Sequence, residues 1–280
     1  MNKVFQIGSF CFRLLCEHDF PVPPNFLLFE TEQDSPEYTY HLQLTDTLPS
    51  PTGNIIAKRP DLVVSRTSNG EERLLGIKGR NDFYASYQEV SHTKAEISLS
   101  IDQIQNLSID PVFTSLFSLE QRMMERNSLI LHCSYITYKD KAILFSAPSG
   151  TGKSTQADLW EQYKDSVTIN GDRALLRKID DQWTACGWPV CGTSEICNRK
   201  DTPIHCIVML TQSKTNHAEK LSSFQAFTQL YGQITINQWN KDFIESAISN
   251  LEDLIQTVPV YHLACDISEN AVRCLENSIF

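Results

Sequence analysis

The sequence predicts an α/β fold, with a β-rich N-terminal half followed by a half in which strands alternate with helices. Three observations predict it. Apolar side chains alternate with polar ones in several stretches between residues 38 and 101. A short apolar run, Ala142-Ile143-Leu144-Phe145-Ser146, leads through a glycine-rich turn into a stretch free of Gly and Pro. Farther on, Phe243, Ala247, Leu251 and Leu254 recur at helical spacing. The chain divides on this reading into residues 1–110, a β-rich domain suited to binding a substrate or partner, and residues 111–280, an α/β domain.

In the first half, residues 1–19 carry an apolar start, but Gln6 and Arg13 interrupt it and no small-residue cleavage site follows. They read as a strand. Tyr38, Tyr40, Leu42 and Leu44 alternate with Thr39, His41 and Gln43, the pattern of a half-buried strand. Leu62-Val63-Val64 and Arg73-Leu74-Leu75 flank Asn69-Gly70, a hairpin signal. Ala95, Ile97, Leu99 and Ile101 alternate again, and Pro21, Pro23, Pro24, Pro49 and Pro51 punctuate the connections.

Asp110-Pro111 opens an expected helix to about Arg126, with Val112, Leu116, Leu119 and Met123 on one face. The spacing then predicts a strand over Leu129 to Tyr138, a turn at Lys139-Asp140, and the apolar strand already named. A helix follows from Ser154 to Lys164, with Ala157, Leu159, Trp160 and Tyr163 facing inward. Val167-Thr168-Ile169 reads as a short buried strand, and Trp183 to Cys186, Pro203 to Leu210 and Val260 to Leu263 as others. Asn240 caps the helix carrying Phe243, and Ser268 opens a last one with Ala271, Val272 and Leu275 inward.

The whole-chain balance narrows the function classes. A net charge of −10 over 280 residues argues against nucleic acid and anionic membranes as partners. No apolar run approaches the length of a membrane span. Nine cysteines without a C-x-x-C pair read as buried free thiols of a reducing cytoplasm; Cys186, Cys191 and Cys197 lack zinc spacing.

Residues 147–155 read Ala-Pro-Ser-Gly-Thr-Gly-Lys-Ser-Thr. This reads as a phosphate-binding loop, or P-loop, with Ala147 in place of its first glycine; the alternative is a glycine-rich turn with an incidental lysine. Gly150 and Gly152 can take backbone angles other residues avoid, so that the N–H groups from Ser149 through Thr151 to Thr155 turn inward on phosphate oxygens. Lys153 supplies charge for the β- and γ-phosphates, and the Ser154 hydroxyl a ligand for Mg²⁺. ATP and Mg²⁺ are the cofactors this implies.

Phosphoryl transfer to a hydroxyl also needs metal ligands, a carboxylate beside the acceptor and positive charge near the transferring group. Asp172, at a predicted strand end, is the candidate general base and a second metal ligand. Asn-Gly-Asp is equally a turn sequence. Arg173 reads as a phosphate partner or a surface residue. Glu195, in Gly192-Thr193-Ser194-Glu195, reads as a metal ligand or a solvated loop glutamate. His132 reads as an acid near the phosphates or a satisfied strand histidine.

Three blocks in this order resemble the kinases related to bacterial HPr kinase/phosphorylase and to ATP-dependent phosphoenolpyruvate carboxykinase. They are residues 131–155 with their His-containing strand and loop, Ile169-Asn170-Gly171-Asp172-Arg173, and residues 191–198 with the Glu195-Ile196 pair. The resemblance implies a P-loop kinase-like C-terminal domain, with Asp172 in the position of the catalytic aspartate. It covers residues 128–210 well, the rest of that half loosely and the N-terminal half not at all. Cys197 replaces an expected arginine, and Gly171 replaces one member of an expected acidic pair, which sets the family's reverse reaction with phosphate in doubt. Small relatives of that kinase act on serine hydroxyls, and such kinases often assemble as homo-oligomers. The expectation is an ATP- and Mg²⁺-dependent kinase acting on a serine-like hydroxyl of a peptide, protein or small molecule. The rivals are a phosphoenolpyruvate carboxykinase-like lyase and a nucleotide-gated binding module without chemistry.

Overall fold

Two eight-stranded sheets organise the chain as a mixed α/β structure. The computed structural model describes residues 1–33, 35–80 and 82–280. These residues form two compact units, Met1–Leu119 and Glu120–Phe280.

The first unit is one sheet built from β1 (Asn2–Ile7), β2 (Phe10–Cys16), β3 (Tyr38–Thr45), β4 (Asn54–Arg59), β5 (Leu62–Arg66), β6 (Glu71–Gly76), β7 (Phe83–Ser91) and β8 (Lys94–Ser100). Their spatial order is β1-β2-β3-β8-β7-β6-β5-β4. The opening segment, expected as a single strand, is an antiparallel hairpin that reverses at Gly8, where φ is +59°. The reversal shows as a change of phase, since the buried positions are odd in β1 (Phe5, Ile7) and even along β2 (Phe10, Phe12, Leu14). The Asn69-Gly70 hairpin joins β5 to β6 as read, with Gly70 at φ +139°. Ile101 lies outside β8 and is exposed, since the chain turns there into a 3₁₀ helix, Ile101–Ser108. Phe12, Phe26, Phe113, Phe117 and Tyr40 pack edge-to-face and tilted against one another beneath the sheet.

Besides α1 (Pro24–Leu27), the expected helix over 110–126 appears as two short ones, α2 (Asp110–Ser115) and α3 (Leu119–Met124). The break is at Ser118, whose φ of +49° no helix accommodates. Val112, Phe113, Leu116, Phe117, Leu119 and Met123 are nonetheless all buried, so the apolar face survives the break.

The second unit contains β9 (Leu129–Tyr138), β10 (Lys141–Ser146), α4 (Lys153–Tyr163), β11 (Val167–Asn170), β12 (Arg173–Ile179), β13 (Gln182–Cys186), β14 (Thr202–Gln212), β15 (His217–Lys220), α5 (Ser223–Tyr231), α6 (Lys241–Thr257), β16 (Val260–Cys265) and α7 (Glu269–Ile279). Lys139 and Asp140, both at positive φ, make the two-residue turn between β9 and β10. β10 and β16 pair parallel to the two sides of β14. One core layer, including Leu131, Leu144, Ile207, Phe243, Ala247 and Leu251, lies on one side of these strands. A second, including Phe145, Trp160, Val208, Val272 and Leu275, lies on the other, so helices cover both faces.

Particular expectations shift here. Tyr163 is more than a third exposed rather than inward, and Val167 begins β11 in solvent. Ser268 precedes α7 but makes no cap bond, because its hydroxyl donates to Asp266 Oδ1 at 2.6 Å. Asn240 does cap α6, its side chain accepting from the Phe243 N–H at 3.2 Å. β12, β15 and α5 carry no expectation from the sequence. Two long strands shape the site. β9 pairs with β12 through His132 and with β10 from Cys133 onward. β14 pairs first with β13 and then with β10 and β16. No helix among the described residues is long and apolar enough to cross a membrane.

Candidate functional site

The carboxyl end of β10 is where the chemistry-bearing segments meet. Ser146 ends that strand opposite Cys133, and its hydroxyl donates to the His132 carbonyl at 2.8 Å. The glycine-rich loop therefore starts beside His132, at the point where β9 leaves one partner for another. Gly150 (φ +80°) and Gly152 (φ +116°) hold left-handed backbone, and a side chain on either would meet only open space. The loop is thus a concave turn whose angles favour glycine, not a packing constraint. α4 begins immediately after it, presenting first-turn N–H groups that have no acceptor within the helix.

Lys153 is buried, and its Nζ donates to the Ala147 carbonyl at 3.0 Å. Burial pulls its ammonium below the usual lysine range, against the opposing pull of the Asp172 charge. The lysine is folded onto the loop's own backbone, where it closes the turn from within.

Asp172 reaches the same place from a different strand. β11 and β12 pair with successive parts of β9, and the Asn170–Arg173 turn links them. The Cys133 N–H donates to the Asp172 carbonyl at 2.9 Å, and Ser134 Oγ to that of Gly171 at 3.1 Å, pinning the turn to β9. The Asp172 carboxylate lies 3.4 Å from His132 Nε2 through Oδ1 and accepts from Arg173 Nε at 3.1 Å through Oδ2. Burial pushes this carboxyl up, but the His132 hydrogen bond and the Arg173 charge outweigh it and hold it below the usual carboxylate range. Arg173 also donates to Thr235 Oγ1 at 3.2 Å.

The third segment is the 191–198 loop. It is laced to β11 by an Asn198 N–H to Ile169 carbonyl bond at 2.9 Å and by a bridge between Cys197 and Asn170. The approach is so close that a Cβ on Gly171 would stand 2.0 Å from Ser194 Oγ. The space that a side chain at Gly171 would need is filled here by that serine. A Cβ on Gly192 (φ +61°) would come within 3.1 Å of the Asp172 side chain, so this loop walls the aspartate.

These segments enclose a cavity of about 380 Å³ lined by His132, Ser149, Gly150, Gly152, Lys153, Ser154, Thr155, Gly171, Asp172 and Thr193. Of the residues singled out from sequence, it gathers all but Thr151, Arg173 and Glu195. Thr151 faces a neighbouring cavity of about 370 Å³, lined also by Gln156, Gln212, Asp266 and Ile267, that shares Gly150, Gly152 and Thr155 with the first. Arg173 backs Asp172 without lining the space. Glu195 is exposed, in left-handed backbone, and takes no part in the lining. Thr193 and the buried Asn170 belong to the site although sequence reasoning missed them. The Asn-Gly-Asp turn signal could have found Asn170; nothing in the sequence separates Thr193 from its neighbours.

Among the described residues no disulfide joins any of the nine cysteines. Among the described residues no three His, Cys, Asp or Glu side chains gather as a metal cluster.

A family model described as "SynChlorMet cassette protein ScmC" matches residues 98–280. No curated protein matches the chain. Among solved structures, the Hpr(Ser) kinase/phosphatase from Coxiella burnetii is similar at 9% identity over 53% of this chain and 95% of that one, with a TM-score of 0.33. That score is too low to carry an argument about fold or activity, which therefore rests on the geometry above.

Proposed function

The chain belongs to the ScmC family, and for it we propose an ATP- and Mg²⁺-dependent kinase that phosphorylates a serine-like hydroxyl of a peptide, protein or small molecule. The observation that carries this reading is the cavity that brings the loop residues Ser149, Gly150 and Gly152 to Thr155 together with Asp172 and His132. A phosphate cradle alone binds nucleotide; a carboxylate kept ionised at its edge gives an acceptor somewhere to lose its proton.

The open concave face at Gly150 and Gly152 suits a polyphosphate, whose oxygens would accept from the loop and first-turn N–H groups. Lys153 would exchange the Ala147 carbonyl for phosphate oxygens, recovering the solvation that burial denies its charge. The nucleoside would extend into the neighbouring cavity, with Thr151, Gln156 and Ile267 around it. Ser154 and Asp172 line the cavity as hard oxygen donors, and two such donors fit a Mg²⁺ that keeps water and phosphate oxygens as its other ligands. The ion would supply charge neutralisation on the phosphates. Glu195 would join the set only after a change in its loop.

In the transfer step the acceptor oxygen forms a bond to the γ-phosphorus as the bond to the β–γ bridging oxygen breaks. ADP leaves with that electron pair. The Asp172 carboxylate takes the acceptor proton, and His132 and Arg173 fix its two oxygens.

The test uses the full chain with Mg·ATP labelled at the γ position and a pool of serine-containing peptides. Lys153→Ala is expected to lower transfer by about 10²- to 10³-fold. Asp172→Asn is expected to keep nucleotide binding while kcat falls by about 10²- to 10⁴-fold. Unchanged turnover in Asp172→Asn removes that residue from the mechanism. Tight nucleotide binding without transfer to any acceptor sinks the kinase and favours a nucleotide-gated binding module.

A further inference from the structure

Asn170 is fully buried, and all its hydrogen-bonding capacity is spent on backbone around Asp172. Its Oδ1 accepts from the Asp172 N–H and the Arg173 N–H, both at 2.9 Å. Its Nδ2 donates to the carbonyls of Trp188 at 2.8 Å and Val190 at 3.2 Å. N–H groups can only donate and carbonyls only accept, so the amide has one satisfied orientation and its opposite would leave four bonds unmade. One side chain thus ties three segments: the end of β11, the turn carrying Asp172, and the 188–190 stretch leading into the loop that walls the aspartate.

We infer, resting on the kinase reading, that Asn170 is the positioning residue for the Asp172 carboxylate. It touches neither nucleotide nor acceptor. It fixes the backbone from which Asp172 projects and holds Gly192 and Thr193 at a set distance from that carboxylate. The Cys133 and Ser134 bonds hold the turn's carbonyls to β9 and the Gly171 N–H donates to the Ile196 carbonyl at 3.4 Å, whereas the Asp172 and Arg173 N–H groups go to Asn170 Oδ1. Without the amide, the turn remains attached to the sheet and to the loop through Gly171, but the Asp172 and Arg173 N–H groups lose their acceptor and the aspartate is free to rotate. Arg173, bonded to Asp172 through Nε, would move with it.

The readouts are transfer from Mg·ATP to the serine-peptide pool and NMR amide exchange at Asp172 and Arg173, in the full chain. Asn170→Ala is expected to lower kcat by about 10²-fold, the scale of a misplaced reacting group, with the KM for Mg·ATP little changed. The two amides should exchange faster. Asn170→Ser, whose hydroxyl can mimic the turn-closing acceptor, should recover part of both losses. An unchanged kcat in Asn170→Ala overturns the inference. So does a kcat loss matched by an equal rise in KM and a loss of folded protein, which reduces Asn170 to general support. A wild-type chain that transfers nothing, while the two amides respond as expected, overturns the kinase reading and leaves the clamp standing.

Discussion

Gly171 shows how one missing side chain constrains the chemistry. Its Cβ position is filled by Ser194, at 2.0 Å to Oγ and 2.3 Å to Cβ, so a carboxylate there requires the 191–198 loop to move. Gly171→Asp is expected to destabilise the protein by about 1–3 kcal/mol through overpacking. Pairing it with Ser194→Gly should return part of that loss, read as a positive coupling in thermal unfolding. Additivity of the two changes would show the contact to be unimportant. At Asp172 the sign of the pH dependence follows from its depressed folded pKa. Its attraction to His132 and Arg173 is present above the unfolded value of about 3.9 and is lost as pH falls through the lower folded value. Asp172→Asn should therefore flatten the part of the acid unfolding curve below about pH 4, measured by circular dichroism, and leave the curve above pH 5 unchanged in shape. Of the residues singled out from sequence, Lys153, Ser154 and Asp172 do come together in one cavity, because the loop and the Asn170–Arg173 turn are both fixed beside β9. Glu195 lies exposed outside that lining, since a carboxylate three residues beyond a glycine says nothing about which way a left-handed turn will aim it.

Elements were legible where one physical signal dominated. β9 and β10 declare themselves by apolar content and by Lys139-Asp140, and α6 by its four inward positions and its Asn240 cap. Elements were lost where signals conflict. β12 alternates Arg173, Arg177 and Lys178 with Ala174-Leu175-Leu176, and its first residues also finish the Asn170 turn. α5 begins with Phe224, four-fifths exposed, which spoils the apolar face that Ala226 and Leu230 make. What defines α5 is its start, where Ser222 and Gln225 form a reciprocal capping box. Ser222→Ala is expected to cost about 1 kcal/mol, measured by denaturant unfolding. At the β9–β10 turn, both residues hold positive φ without glycine. Asp140→Gly should stabilise the hairpin by about 0.5–1 kcal/mol, the penalty a β-carbon carries in that backbone; no gain in Tm would refute this account of the turn.

At the scale of the whole molecule, the nucleotide reading engages one unit alone. Every residue of the cavity and its neighbour lies within Glu120–Phe280. Mg·ATP at about 100 times its Kd should stabilise that unit by about 2.7 kcal/mol. Hydrogen exchange should place the added protection in residues 120–280, with Met1–Leu119 unaffected. Protection spread equally over both units would contradict a site confined to the second. The N-terminal sheet has its own internal logic, exemplified by Glu72, whose carboxylate accepts from Thr52, Gly53 and Ser65 and fastens the proline-rich loop to the sheet.

The double pairing of β9 and β14 also sets an order of assembly. β9 and β10 are joined by two residues and can zip locally, whereas β10 acquires its other neighbour only when β14 arrives, after four intervening elements. A chain growing from its N-terminus carries Lys153, Asp172 and Asn170 before it carries Trp188, Val190 and the 191–198 loop. During synthesis the Gly150–Lys153 loop therefore emerges first, and the 191–198 wall beside the aspartate comes later. On the proposed kinase reading, the groups that would hold phosphate are thus made before the loop that would shape the acceptor's side of the site.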